Sequence, residues 1–208
     1  MPLRNFISIQ IGFIFIVAGY GCMPVTSFQT ARTVDPGSVY ITHGGSLSGS
    51  GNVPENASSL ILESGIRIGL KEQFDCGFRY FFPGTFLGDV KYQYYDSPTA
   101  AASIGLGTAL TYDFNVLTAG DIILPMYFSW HPNDYLSLYG VPKYLVRLEN
   151  GQDYSFFLCS MGIKIGKDSG VMLEYTLMER NGGGNVYFDE GSYRSYNNNI
   201  GIALFLNF

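Results

Sequence analysis

The chain has 208 residues, 47% of them hydrophobic and only 14% charged, with a formal net charge of −5. Charged residues ordinarily make up about a quarter of a soluble domain, so this composition is not that of a typical soluble globule. The balance of 12 basic against 17 acidic residues argues against a nucleic-acid partner. Three cysteines and two histidines are too few soft ligands to suggest a metal site or a cofactor.

At the amino terminus, Met1 to Asn5 is a short basic start, and Phe6 to Ala18 is apolar apart from Ser8, Gln10 and Gly12. Gly19-Tyr20-Gly21 then supplies a small-x-small site before Cys22, so residues 1–21 read as a signal peptide rather than a membrane span. Cys22 resembles the lipidated cysteine of bacterial lipoproteins, although Gly19 stands where such sites carry Leu, Val or Ile. Residues 22–37 are polar and aperiodic and read as a periplasmic linker, with Cys22 as the lipid anchor on that resemblance. The rest of the chain, 38–208, reads as one domain.

Ten strand-like segments follow, near 38–47, 59–70, 73–82, 87–95, 101–112, 122–131, 135–148, 154–166, 170–179 and 195–208. No segment after residue 21 approaches the ~20 apolar residues of a spanning helix. The connections alternate. Ser48 to Ser58, Asp113 to Asp121, Glu149 to Asp153 and Arg180 to Arg194 are longer than Lys71 to Gln73, His131 to Asp134 and Lys167 to Ser169, with Pro83 to Phe86 as a short exception.

The two faces of these segments differ. Glu63, Gly65, Arg67 and Gly69 alternate with Leu62, Ser64, Ile66, Ile68 and Leu70. Asp75 and Arg79 oppose Phe74, Phe78 and Tyr80, and Asp89 and Lys91 oppose Val90, Tyr92 and Tyr94. Lys143, Arg147, Lys164 and Glu174 likewise face away from Tyr144, Val146, Ile163, Leu173 and Tyr175. A mid-strand charge against lipid costs several kcal/mol, on the order of 2–4. These charges are therefore expected inside a barrel whose apolar face meets lipid. Cys76 and Cys159 fall on the apolar face and read as small hydrophobes. Pro142 removes a ladder donor and predicts a bulge near Gly140-Val141-Pro142; Pro125 is expected near a rim.

The last strand carries Ile200, Ile202, Leu204, Leu206 and Phe208 on one face, and Asn197, Asn199, Gly201, Ala203 and Asn207 on the other, with Phe205 the exception. This pattern resembles the carboxy-terminal assembly signal of bacterial outer-membrane β-barrels, with Gly201, Leu204, Leu206 and Phe208 as the signal residues. The resemblance implies an all-β, antiparallel, up-and-down transmembrane barrel of about ten strands, with eight or twelve as alternatives. It also implies a place in the bacterial outer membrane, contact with its lipid, and delivery by the barrel-assembly machinery. A soluble lipocalin-like ligand-binding lipoprotein is the other fold considered, but Trp130 lies late in the chain and no Gly-x-Trp marks the first strand.

For function, the inward Glu63, Arg67, Asp75, Arg79, Asp89, Lys91, Lys143, Arg147, Lys164 and Glu174 read as a salt-bridge network filling a narrow lumen. A narrow solute pore is the alternative. Outer-membrane proteases and lipid hydrolases need a histidine beside carboxylates or a serine. His131 reads as part of a turn and His43 has no evident partner, so no catalytic residue is expected. The loop 180–194 joins Gly182-Gly183-Gly184 to Val186-Tyr187-Phe188, and aromatics beside charges there suit a surface ligand.

Overall fold

A computed structural model of the chain describes residues 26–50, 59–113, 116–149, 152–183 and 196–208. Residues 1–21, expected to be a signal peptide, Cys22 and most of the loop 180–194 lie outside these residues. Ten strands run through the described residues: β1 (Val39–Ser50), β2 (Ser59–Lys71), β3 (Phe74–Phe82), β4 (Thr85–Asp96), β5 (Ala100–Asp113), β6 (Val116–Asn133), β7 (Leu136–Glu149), β8 (Gln152–Ile165), β9 (Ser169–Gly183) and β10 (Tyr196–Asn207). Each pairs antiparallel with its sequence neighbours, and β10 pairs with β1 to close the barrel. At the seam Val39 and Phe208 exchange backbone hydrogen bonds of 3.0 and 2.9 Å. We call the rim where β1 begins and β10 ends the near rim, and the opposite one the far rim.

Period-two alternation places the side chains. Along β2, Leu62, Ile66, Ile68 and Leu70 face outward and Glu63 and Arg67 inward; the same split recurs in every strand. On β10 and just after it, Leu204 is 62% and Phe208 71% exposed on the outside, while Gly201, Ala203 and Phe205 are buried. Cys76 and Cys159 are free thiols on the half-buried outer face. Aromatic contacts reinforce the outer surface, as where Phe74 meets Tyr92 at 4.7 Å between ring centroids. An apolar outside around a charged inside, with every strand paired and no edge left open, is the architecture of a bacterial outer-membrane barrel, and the outer membrane is where it belongs.

Three expectations need correction. β5 runs on to Asp113 and β6 starts at Val116, so the long connection expected over 113–121 is a paired extension of the hairpin. The connections at the far rim are therefore long only at 51–58 and 184–195. Pro142 causes no bulge, because pairing continues in step from Val141↔Ser160 to Pro142↔Cys159, and from Pro125↔Lys143 to Phe128↔Gly140. Pro125 sits in the middle of β6 and faces the lumen, not at a rim. The register shifts lie elsewhere, for example between Gln93 and Tyr95 and between Thr111 and Tyr112.

The largest departure concerns residues 26–35. The expected linker enters the barrel at the near rim and threads its lumen. It crosses the rim where Gly37 and Ser38 pair with Gly69. A Cβ on Gly69 would stand 2.0 Å from the Asp35 carbonyl oxygen, so only glycine admits the strap there.

Candidate functional site

The candidate site is the lumen, built from inward residues of all ten strands and the strap 26–35. Nearest the near rim the strap is anchored by polar side chains. Arg32 donates to the carbonyls of Ser97 and Pro98 at 2.9 and 2.8 Å, and the Thr33 N–H donates to Gln93 at 2.7 Å. The Val34 N–H donates to Asp75 at 3.0 Å.

Deeper in, the strap meets the charge layer. Glu174 accepts the Ser27 N–H at 2.7 Å on one oxygen and the Phe28 N–H at 2.8 Å on the other. Tyr139 and Thr176 each donate to the same carboxylate at 3.2 Å. The Thr26 hydroxyl donates to Glu63. Arg79 donates to the carbonyls of Thr26 and Ser27 at 2.9 and 3.1 Å, and Lys91 to those of Thr30 and Arg32 at 3.2 and 2.8 Å. An aperiodic segment can lie buried only when partners are found for its backbone polar groups, and here the barrel wall provides them. Phe28 is 1% exposed and packs with Ala31, Tyr127, Tyr139 and Met172. Its φ of +41° is rare for a bulky residue and is held by these contacts.

The ten charges expected as one network separate into groups. Arg67 bridges Asp75 and Asp89, and Lys91 reaches Asp75 at 3.3 Å. Glu63, Arg79 and Glu174 chiefly hold the strap, with Lys143 buried in strand β7 beside them in depth. Arg147 stands apart, paired in bidentate fashion with Asp121 at 2.7 and 2.9 Å. Asp121 is a lumen residue that sequence reasoning placed in a loop. Lys164 joins no ion pair among the described residues; its Nζ lies 4.4 Å from the Phe205 ring centroid and 5.5 Å from that of Tyr40.

Between the strap and the Arg147–Asp121 pair lies an apolar layer. Ile61, Phe81, Leu87, Ala109, Ile123, Leu145, Phe156 and Leu158, from seven strands, form one buried cluster. Sequence reasoning did not single it out, because its strands are apolar on both faces at that depth.

Both histidines have partners. His131 faces the lumen from β6, hydrogen-bonded to Ser129 at 2.8 Å and to Ser137 at 2.7 Å. It is thus part of a strand rather than a turn. Ser129 is also occupied by the Ala31 N–H at 3.2 Å. Serine-based hydrolysis asks for a base oriented by a third group and for donors at the developing oxyanion. The orienting group here is a serine hydroxyl, and Ala31 of the strap covers the nucleophile position. His43 lies on the outer face, 2.9 Å from Ser64 of the next strand. No group of three or more potential metal ligands occurs among the described residues.

No family model matches the sequence, and no curated protein matches it. Solved structures similar to the barrel include a bacterial polysaccharide outer membrane secretin, at 14% identity and a TM-score of 0.44 over 80% of this chain. The match spans 65% of the secretin's own length. Others are the NanC porin, at 12% identity and a TM-score of 0.44 over 79% of this chain and 98% of that one, and the outer membrane protease OmpT from Escherichia coli. The OmpT match has 10% identity and a TM-score of 0.43, over 88% of this chain and 100% of that one. These likenesses concern barrel architecture and carry no activity across.

The four residues expected to carry an assembly signal are divided between the two faces. Leu204, Leu206 and Phe208 face outward, and Gly201 faces the lumen against Phe28.

Proposed function

We propose that this chain is a closed, non-enzymatic outer-membrane barrel with a structural or surface-interaction role, rather than a solute channel. The observation that carries this reading is the strap 26–35, which threads the charged part of the lumen and is hydrogen-bonded to the wall along its length. The apolar layer on its far side adds a second barrier, because an ion crossing it would lose its hydration without replacement.

In this reading the near rim faces the periplasm, since both ends of the barrel lie there and the two long connections lie opposite. β9 extends to Gly183 at the far rim, and the loop 180–194, with its aromatics beside charges, is where a surface ligand would be met in this reading. The final strand, with Gly201, Leu204, Leu206 and Phe208, is the segment offered to the assembly machinery. Absence of catalysis is supported by the covered Ser129 and the serine that stands where an acid would orient His131.

Planar-bilayer recording of the refolded full chain tests the proposal. A baseline without conductance steps is expected. Reproducible open-channel steps whose ion selectivity changes in Lys91→Glu would replace it with the pore reading.

A further inference from the structure

A cavity of about 410 Å³ opens at the near rim, between the strap and strands β6, β7, β8 and β10. Four polar atoms of its lining residues lack a hydrogen-bond partner among the described residues. Two are donors: Arg32 Nε, which has only a 3.5 Å ion-pair contact to Asp96, and Lys164 Nζ, which rests on the Phe205 and Tyr40 rings. Two are acceptors: Gln29 Oε1 on the strap and Asn207 Oδ1 at the end of β10. Gln29 is only 6% exposed, so its unpaired oxygen is a buried polar group at the wall of an open space. Buried polar atoms are nearly always satisfied; Arg32 Nε, Gln29 Oε1 and Asn207 Oδ1 are three exceptions around one cavity, and Lys164 adds a fourth polar group to its lining.

We propose that this cavity binds a small hydroxylated anion, its acidic group held by Lys164 and Arg32 and its hydroxyls donating to Gln29 and Asn207. A plain anion leaves both amide oxygens unpaired, and a neutral polyol leaves both cations unpaired. Asp35, Asp134 and Asp168 also line the cavity, as do Arg67, Lys91 and Lys167, so the lining is basic on balance and favours an anion. The volume suits a molecule of a few carbons. The lining of the cavity includes residues at the near rim such as Asn133, Asp134, Lys167 and Asp168, so the inference holds whether or not the lumen conducts.

Isothermal titration calorimetry on the folded full chain in detergent tests it, with glycerol 3-phosphate, inorganic phosphate and glycerol as probes. Glycerol 3-phosphate is expected to bind saturably, at least tenfold tighter than phosphate, and glycerol to give no saturable heat. Lys164→Met, which keeps the packing on the rings, should weaken glycerol 3-phosphate at least tenfold. Gln29→Leu should reduce it to the affinity of phosphate, and Lys71→Met, on exposed Lys71 at the end of β2, should change nothing. Gel mobility without boiling verifies that each variant is folded. Competition by dihexanoylphosphatidylglycerol at comparable affinity would assign the same chemistry to a lipid headgroup, and lack of competition to a soluble anion. Absence of saturable binding by wild type, or binding that Lys164→Met leaves unchanged, would overturn the proposal.

Discussion

Phe28 lies so close to the lumen face of Gly201 that a Cβ built on the glycine would stand 2.6 Å from Phe28 Cζ. Gly201 therefore leaves room for the strap as well as belonging to the closing strand. Gly201→Val should force Phe28 out of its site at a cost of about 1–3 kcal/mol from overpacking, while the barrel still closes through β1 and β10. The check is thiol labelling of Thr30→Cys in a background of Cys22→Ser, Cys76→Ser and Cys159→Ser. Labelling should be slow with Gly201 in place and fast with valine. Equal rates in the two would show that Gly201 has no part in seating the strap.

Glu174 accepts two strap N–H groups and two side-chain hydroxyls. Hydrogen bonds to a charged group contribute about 1.5–3 kcal/mol each. Glu174→Gln keeps one acceptor oxygen but turns an amide NH₂ toward one of the strap donors. Urea unfolding in detergent should show a loss of about 2–4 kcal/mol on that scale. In a chain lacking residues 26–35 the same substitution should cost much less, since the strap donors are gone.

Asp121 and Arg147 form a buried pair at the far side of the apolar layer. Removing one partner from such a pair typically costs about 3–5 kcal/mol, whereas replacing both with apolar residues is often close to neutral. Arg147→Met alone should destabilise strongly, and Asp121→Leu with Arg147→Met should recover most of the loss. A double-mutant cycle from equilibrium unfolding measures the difference; additive effects would mean that the pair is not coupled.

Much of the barrel was legible because a spanning strand must keep charge off lipid. Glu63, Arg67, Asp89 and Lys91 announced the lumen side of their strands, and the terminal Phe208 with its alternating neighbours announced closure. The strap was not legible, because a segment without periodicity looks alike whether water or a barrel wall satisfies its backbone. Asp121 was missed because Thr118-Ala119-Gly120 before it is short of the bulky residues that mark a strand, and its pairing with β5 and β7 supplies what propensity lacks. Phe81, Leu87 and Leu145 were missed as lumen residues because hydrophobic neighbours on both faces erase the period of two.

The strap also bears on the expected lipid anchor. Cys22 lies outside the described residues, but Thr26 is hydrogen-bonded to Glu63, eight positions along β2 from Lys71 at the near rim. Eight strand residues span roughly 26 Å, whereas four extended residues reach at most roughly 14 Å. A lipid on Cys22 seated in the leaflet at the near rim therefore requires Thr26 to leave its site. We expect Cys22→Ser to leave membrane localisation and unboiled gel mobility unchanged. Loss of the protein from the outer-membrane fraction would mean that the anchor, and not the docked strap, governs residues 22–30.

The most direct test of the closed lumen is a disulfide between strap and wall in native membranes. Ser103 Oγ donates to the Ala31 carbonyl, and the Ala31 N–H to Ser129 Oγ at 3.2 Å. Ala31→Cys should therefore cross-link with Ser129→Cys under mild oxidant, in the background lacking the native cysteines. The expected result is near-complete cross-linking, seen as a cyanogen bromide fragment pattern that collapses on reduction. A strap that stays unlinked while Ala31→Cys reacts freely with a membrane-impermeant maleimide would contradict the account.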